Sequence, residues 1–110
     1  MAAYPAKVER LIESVLAGSG VTSPSLRRTV AGQAARLGGM SGETEALPQQ
    51  LDGFVRKVAT QAYRVTDEDI TALKEAGYSE DTIFEITVSA ALGASIARLE
   101  CGLNALKGEG

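Results

Sequence analysis

The chain has no histidine, no tryptophan and one cysteine, Cys101, among its 110 residues. It therefore cannot form an internal disulfide, and it has neither an imidazole base nor a Cys/His zinc site. Aromatic residues make up only 5% of the sequence. A core with so few rings must be filled by aliphatic side chains and alanine, which favours helix-on-helix packing over an aromatic-rich β-sandwich. No metal site and no cofactor are predicted.

Charge and hydropathy also limit the classes of partner. The formal net charge is -3, which disfavours nucleic-acid binding because phosphates attract basic surfaces. Charged residues come before the first apolar run of the chain, so no signal peptide is predicted. Polar residues interrupt the longest apolar run, from about Ile86 to Leu99, and we expect it to be too short and too polar for a bilayer of roughly 30 Å. The predicted protein is cytoplasmic, with no membrane partner.

Apolar spacing predicts one all-α domain over residues 1–110, with about five helices. The first helix runs from about Pro5 to Ala17, and the second begins at the N-cap Ser23 and stops at residues 38–39. Three arginines make the second helix the most basic segment, and we interpret them as a solvated face: they are Arg27, Arg28 and Arg36. Residues 38–46 read as a loop, and Pro48 opens the third helix.

The stretch from residue 66 to residue 107 has the clearest local signals. Thr66 caps the fourth helix, and Asp69 three residues later completes a pattern that resembles a capping box. Gly77 is the expected glycine after the helix end. Ser79 then caps a fifth helix from about residue 80 to residue 106. This helix is apolar on nearly every side, so we expect protein to surround it.

The fifth helix divides into three stripes at helical spacing. One contains mostly larger side chains, one mostly small side chains, and the third runs from Ile86 to Ile96. The small stripe would let another backbone approach closely, and a second subunit is a natural occupant, so a homo-oligomer is predicted. The larger stripe is Phe84, Val88, Ala91, Ser95, Leu99 and Leu106, and the small one is Ile83, Thr87, Ala90, Ala94, Ala97 and Cys101.

Residues 70–84 also have the helix, glycine turn and helix of a DNA-binding motif. The helix that would enter the groove carries Glu80, Asp81 and Glu85 near its start, however, and these carboxylates would repel phosphate. DNA binding is therefore not predicted. The same segment faintly resembles a ubiquitin-binding three-helix module, but the last helix is too long for it.

The run AYRVTDEDITALKEAGYSEDTIFEI, residues 62–86, and the VSAALGASIARLECGLNAL that follows the next residue resemble the carboxymuconolactone decarboxylase and alkylhydroperoxidase D-like superfamily. The resemblance implies an all-helical fold and oligomeric assembly. Redox-active members carry a Cys-x-x-Cys-x-x-x-His motif, whose positions fall here on Ala62, Val65 and Asp69. A thiol peroxidase needs a thiolate and a nearby resolving thiol or base, so we do not expect that activity. The decarboxylase branch relies on histidine, which is absent.

Two functions remain open. The chain is either a non-catalytic oligomeric or small-molecule-binding protein, or an enzyme that uses carboxylate and tyrosine acid–base chemistry in the family pocket. The candidate site residues are Asp69, Glu85 and Tyr63, and the enzyme would need an acid with a raised pKa. Charges in the apolar part of the fifth helix must be paired or reach solvent, so Glu85 and Arg98 are expected to form ion pairs between helices or subunits. Cys101 is expected to pack as a small hydrophobic residue.

Overall fold

The computed structural model describes residues 4–108 and confirms the all-α prediction. A single turn of 3-10 helix, Ala62–Arg64, follows the third of five α-helices, and the described residues contain no strand. The starts of all five helices, and the ends of the first, second, fourth and fifth, lie within two residues of the predicted positions. The helices are α1 (Ala6–Ala17), α2 (Pro24–Leu37), α3 (Gln49–Gln61), α4 (Asp67–Glu75) and α5 (Glu80–Leu106).

Side-chain caps set the starts of three helices, as the sequence predicts. The hydroxyl oxygens of Ser23 and Ser79 each accept a hydrogen bond from the backbone N–H three residues later. Thr66 and Asp69 form a complete capping box, in which each side chain accepts from the other residue's backbone N–H. Gly77 has φ +103°, in the left-handed region that glycine adopts without strain. The turn between α4 and α5 therefore lies at Gly77, where the local sequence predicts it.

The core forms where α2 and α3 pack on α5. The pair α2 and α5 makes the most extensive contact in the molecule. The small residues Ala90, Ala94 and Ala97 of α5 are at most 2% exposed. The prediction that a second subunit covers this small stripe is wrong, because α2 of the same chain packs on it. The other large buried side chains of the core are Val30, Leu51, Phe54, Val55, Val58, Leu73, Ile83 and Ile86.

Gly93 sets the closeness of this helix pair. A methyl group built on Gly93 would lie 2.1 Å from the carbonyl oxygen of Ala31 and 2.8 Å from its Cα. At the end of α2 the geometry is similar, since a methyl group on Gly38 would lie 2.7 Å from the Cβ of Ala97. Only glycine permits the two backbones to come this close, and the close approach lets α2 cover the small face of α5.

The opposite side of the molecule is less covered. No residue of α1 is fully buried, although its apolar residues share one face. On α5, the larger stripe is exposed to solvent, with Phe84 at 69%, Leu99 at 47% and Leu106 at 85% of full exposure. The expectation that protein surrounds α5 on all sides is therefore wrong for this stripe within one copy of the chain.

The 27 residues of α5 are long and apolar enough to cross a membrane by length and composition alone. The expectation that the apolar run from Ile86 to Leu99 is too short and too polar for a bilayer therefore does not hold for the whole of α5 by these two criteria. Within its most apolar 18-residue window, 39% of the residues are buried inside the molecule. A core helix of a soluble protein passes the same test, so length and hydropathy do not separate the two cases.

We expect Gly93→Ala to lower the free energy of unfolding by about 1–3 kcal/mol, because the added methyl group meets rigid backbone on α2. Urea unfolding followed by circular dichroism measures the change. The matched control is Gly53→Ala on α3, where a methyl group meets nothing within 4 Å. That variant should gain about 0.5–1 kcal/mol from reduced backbone entropy. Equal effects of the two substitutions would contradict the proposed role of the close approach.

Candidate functional site

Asp69 is held by groups from two elements. Its two carboxylate oxygens accept hydrogen bonds from Nζ of Lys57 on α3 at 3.1 and 2.9 Å. The backbone N–H of Thr66 donates to Oδ2 at 2.9 Å. The hydrogen bond from Lys57, followed by the one from the Thr66 backbone, lowers the pKa of Asp69. This carboxylate is therefore ionised at neutral pH and held by donors from Lys57 and Thr66.

Asp69 and Lys57 stand at the rim of a cavity of about 310 Å³ between α3 and α4. Phe54 and Leu73 are 6% and 4% exposed and form its apolar part. Polar groups lie at the rim, and an apolar interior with a few fixed polar groups is the usual composition of a small-molecule pocket. The full lining is Gln49, Gln50, Gly53, Phe54, Lys57, Asp69, Ala72 and Leu73.

Glu85 is fixed by the loop that joins α1 to α2. Its carboxylate accepts hydrogen bonds from the backbone N–H of Val21 at 2.8 Å and of Thr22 at 2.9 Å, and from the Thr22 hydroxyl. The Thr22 hydroxyl contributes most to lowering the pKa of Glu85, and the two backbone donors and the positive charge of Arg27 act in the same direction. A methyl group on Gly20 would lie 2.7 Å from this carboxylate. The absence of a side chain at Gly20 thus leaves room for the carboxylate.

Arg27 secures the same loop from the other side. Its side chain is only 4% exposed, and its guanidinium donates to the carbonyl oxygens of Val15 at 2.8 Å and Gly18 at 2.6 Å. These carbonyls lie at the end of α1, where helices leave acceptors unpaired. The prediction of a solvated arginine face is therefore wrong for Arg27, although Arg28 and Arg36 are exposed.

The sequence did contain a signal for the burial of Arg27. It lies three, four and seven residues before Val30, Ala31 and Ala34, which are all buried on α2. Helical spacing therefore places Arg27 on the apolar face of its own helix. The positive charge led to the prediction of a solvated side chain. Inside the protein its two terminal nitrogens donate to carbonyl oxygens at the end of α1, while its buried Nε has no partner among the described residues.

The structure does not bring the three candidate residues into one site. Tyr63 lies in the 3-10 turn, is 85% exposed, and lines neither the Asp69 cavity nor the depression that Glu85 lines. That second depression, of about 250 Å³, is formed by α1, α2 and α5. Asp69 and Glu85 therefore belong to separate environments. Each has a lowered pKa, whereas the acid–base hypothesis called for a raised one.

Two further expectations for α5 need correction. Within the described residues neither Glu85 nor Arg98 forms an ion pair between helices, because Glu85 accepts from loop donors and Arg98 donates to the carbonyl oxygen of Ala59 at 2.7 Å. An ion pair between subunits stays a prediction. Cys101 is exposed, with Sγ 3.9 Å from the carbonyl oxygen of Gly38. Its packing as a small hydrophobic residue is thus wrong for the single chain.

Within residues 4–108 no group of three or more His, Cys, Asp or Glu side chains is placed to hold a metal ion. Comparison of the chain with protein-family models, with curated proteins and with solved structures finds no match.

Because the ionised form of Glu85 is favoured in the folded state, its stabilising effect is present above the unfolded-state pKa of roughly 4.3. This contribution is lost as the pH falls through the lower pKa of the folded protein. We expect Glu85→Gln to reduce stability near pH 7 and to flatten the fall in stability between about pH 5 and pH 3. Thermal unfolding at several pH values measures this dependence.

The control is Glu75→Gln at an exposed position of α4 that makes none of these contacts. It should leave the pH dependence of the wild type unchanged. A parallel pH profile for Glu85→Gln and wild type would contradict the role assigned to the carboxylate.

Proposed function

We propose that the chain is a non-catalytic small-molecule-binding protein of the cytoplasm, and a member of the carboxymuconolactone decarboxylase and alkylhydroperoxidase D-like superfamily without the redox dithiol. The observation that carries the binding function is the cavity between α3 and α4. It combines the buried side chains of Phe54 and Leu73 with four polar lining residues, which are Gln49, Gln50, Lys57 and Asp69. Its volume of about 310 Å³ lies at the lower end of the range for ligand pockets.

The family assignment is supported by the residues that carry the resemblance. In the resemblance, Ala62, Val65 and Asp69 take the positions of the redox motif. Ala62 and Val65 fall in the short segment that joins α3 to α4, and Asp69 lies in the first turn of α4. Asp69 itself lines the cavity. A pocket in this place without reactive sulfur or imidazole is what a binding protein derived from a redox scaffold would retain.

The charges at the rim select the class of ligand. Lys57 and Asp69 neutralise each other at 2.9 Å, so neither offers a full charge to a ligand, and the two glutamine amides supply donors and acceptors. Phe54 and Leu73 favour an apolar or aromatic body. The ligand class that fits is a small molecule with an apolar body and an uncharged hydrogen-bonding head, such as an aromatic amide or alcohol.

The alternative, an enzyme with carboxylate and tyrosine acid–base chemistry, has less support. A general acid or base works best with a pKa near the working pH. The donors around Asp69 and Glu85 lower both pKa values, and Tyr63 is exposed away from both carboxylates' pockets.

We expect neutral aromatic amides to perturb the amide NMR signals of residues around the cavity, and benzoate or benzylamine to do so less. Gly53 lines the cavity, and a Cβ there meets nothing within 4 Å, so Gly53→Leu adds a large side chain to the cavity wall without a clash. This variant should abolish the perturbation while the fold remains. The control is Thr71→Leu, an exposed position on α4 outside the lining, which should bind as the wild type does. Binding that survives Gly53→Leu, or no binding by any member of the series, would overturn the proposal.

A peroxide-consumption assay with a dithiol reductant should show no turnover above background, because the only sulfur nucleophile is the single cysteine. Cys101→Ser should leave this result unchanged. Turnover that disappears in Cys101→Ser would show that the exposed thiol is reactive and that the protein is an enzyme.

A further inference from the structure

The helix α1 takes no part in the hydrophobic core. Each of the four other α-helices contributes at least one buried side chain, whereas α1 contributes none, and no residue of α1 belongs to the core cluster. Its apolar residues Val8 and Leu11 are exposed, and Ile12, Val15 and Leu16 are only half-buried. Packing of an apolar face supplies most of the stability of a helix in a protein. Little buried apolar surface therefore holds α1 in place.

Local interactions also contribute little to α1. The helix begins after Pro5 without a side-chain cap, whereas side chains cap α2, α4 and α5. Its ion pair between Glu13 and Arg28 has a distance of 3.9 Å and is exposed on both sides, so it contributes little. A helix of 12 residues is marginal in water on its own. Detached from α2 and α5, α1 would therefore lose its helical structure.

Polar contacts attach α1 at its two ends. At the start, the Tyr4 hydroxyl donates a hydrogen bond to the carboxylate of Glu100 on α5. At the end, Arg27 of α2 donates to the carbonyl oxygens of Val15 and Gly18. Each contact includes a charged group, and such hydrogen bonds are stronger than neutral ones. The attachment of α1 is thus concentrated at its ends.

Packing between α1 and α5 is incomplete along its second half. A depression of about 250 Å³ lies there, with Ser14 and Val15 of α1 on one side and Phe84 and Val88 of α5 on the other. Side chains that line a gap lose the van der Waals contacts that close packing would give. Separation of the two helices therefore breaks few contacts at this point.

The residues after α1 provide a hinge. Gly18 and Gly20 come directly after the helix, and glycine permits backbone rotation with little steric restriction. The next residues, Val21 and Thr22, are fixed, because their backbone N–H groups donate to the carboxylate of Glu85. Rotation about the two glycines can therefore move α1 without moving α2 or α5.

We infer that α1 is a strap that opens as a unit about the hinge at Gly18 and Gly20, while α2 to α5 stay folded. Elements with few buried apolar contacts open at a lower free-energy cost than the core. Opening uncovers Arg27, which is buried in the closed form. Water then replaces the two α1 carbonyl oxygens, while the carbonyl oxygen of Thr22 still accepts from the guanidinium at 3.3 Å. The strap therefore controls access to this positive charge and to the side of α5 next to it.

Native-state amide hydrogen exchange of the full chain, followed by NMR, tests the inference. The amides of α1 should share one opening free energy and exchange at least about tenfold faster than those of Val30 and Ile86 in the core. Their exchange should depend only weakly on added urea, because opening exposes little surface.

Tyr4→Phe removes the hydrogen bond to Glu100 and keeps the ring. It should speed the exchange of the α1 amides by about tenfold, since a hydrogen bond to a charged group is lost, and leave the amides of the core unchanged. The matched control is Tyr63→Phe, which removes the hydroxyl of an exposed tyrosine in the 3-10 turn. This control should exchange as the wild type does.

Limited proteolysis with trypsin gives a second measurement. Cleavage should occur at Arg10 of α1 before it occurs at Arg28 or Arg36, which are also exposed but lie on α2. Tyr4→Phe should speed the cut at Arg10 alone.

Several results would overturn the inference. Exchange of α1 with the rate and urea dependence of the core would mean that α1 opens only when the whole chain unfolds. Exchange that becomes steadily faster from residue 17 towards residue 6 would indicate fraying instead of opening as a unit. Equal acceleration of all helices by Tyr4→Phe, or first cuts by trypsin in α2, would also contradict a separate strap.

Discussion

The close contact between α2 and α5 is the constraint on which the rest of the structure depends. Because Gly93 has no side chain, the backbone of α2 can contact α5 directly. The carbonyl oxygen of Ala31 lies where the Cβ of any other residue at position 93 would be. This approach buries the small side of α5 almost completely, and it leaves the larger side without a partner in the same chain. The position of α2 then fixes where Arg27 and the loop before it lie. Gly93 therefore permits the contact that makes this face of α5 part of the core.

The charged residues near this contact stabilise the fold and are poorly suited to proton transfer. Arg27 donates to carbonyls at the end of α1, and Glu85 accepts from the N–H groups of the following loop. Together they satisfy backbone groups that a short connection would otherwise leave unpaired. Hydrogen bonds of this kind hold a carboxylate in its ionised form. For this reason the geometry favours binding over acid–base catalysis, and the polar rim of the α3–α4 cavity follows the same pattern through Lys57 and Asp69.

The cavity and the exposed larger stripe of α5 lie on different parts of the molecule. The cavity is a cleft between α3 and α4, whereas the larger stripe belongs to α5 with α1 beside it. A substitution on the stripe therefore changes no residue of the cavity lining.

Local chemistry in the sequence determined the helices and their ends. Caps at Ser23, Thr66 and Ser79, and the glycine turn at Gly77, depend on residues within one helical turn, and they lie where the sequence predicts them. The tertiary structure alone decided which surfaces these helices share. It buried Arg27, separated Asp69 from Glu85, exposed Tyr63, and gave the small stripe of α5 to α2 instead of a second subunit. Helical periodicity defines the faces of a helix but not the partner that covers each face, because that choice depends on contacts between residues distant in the chain.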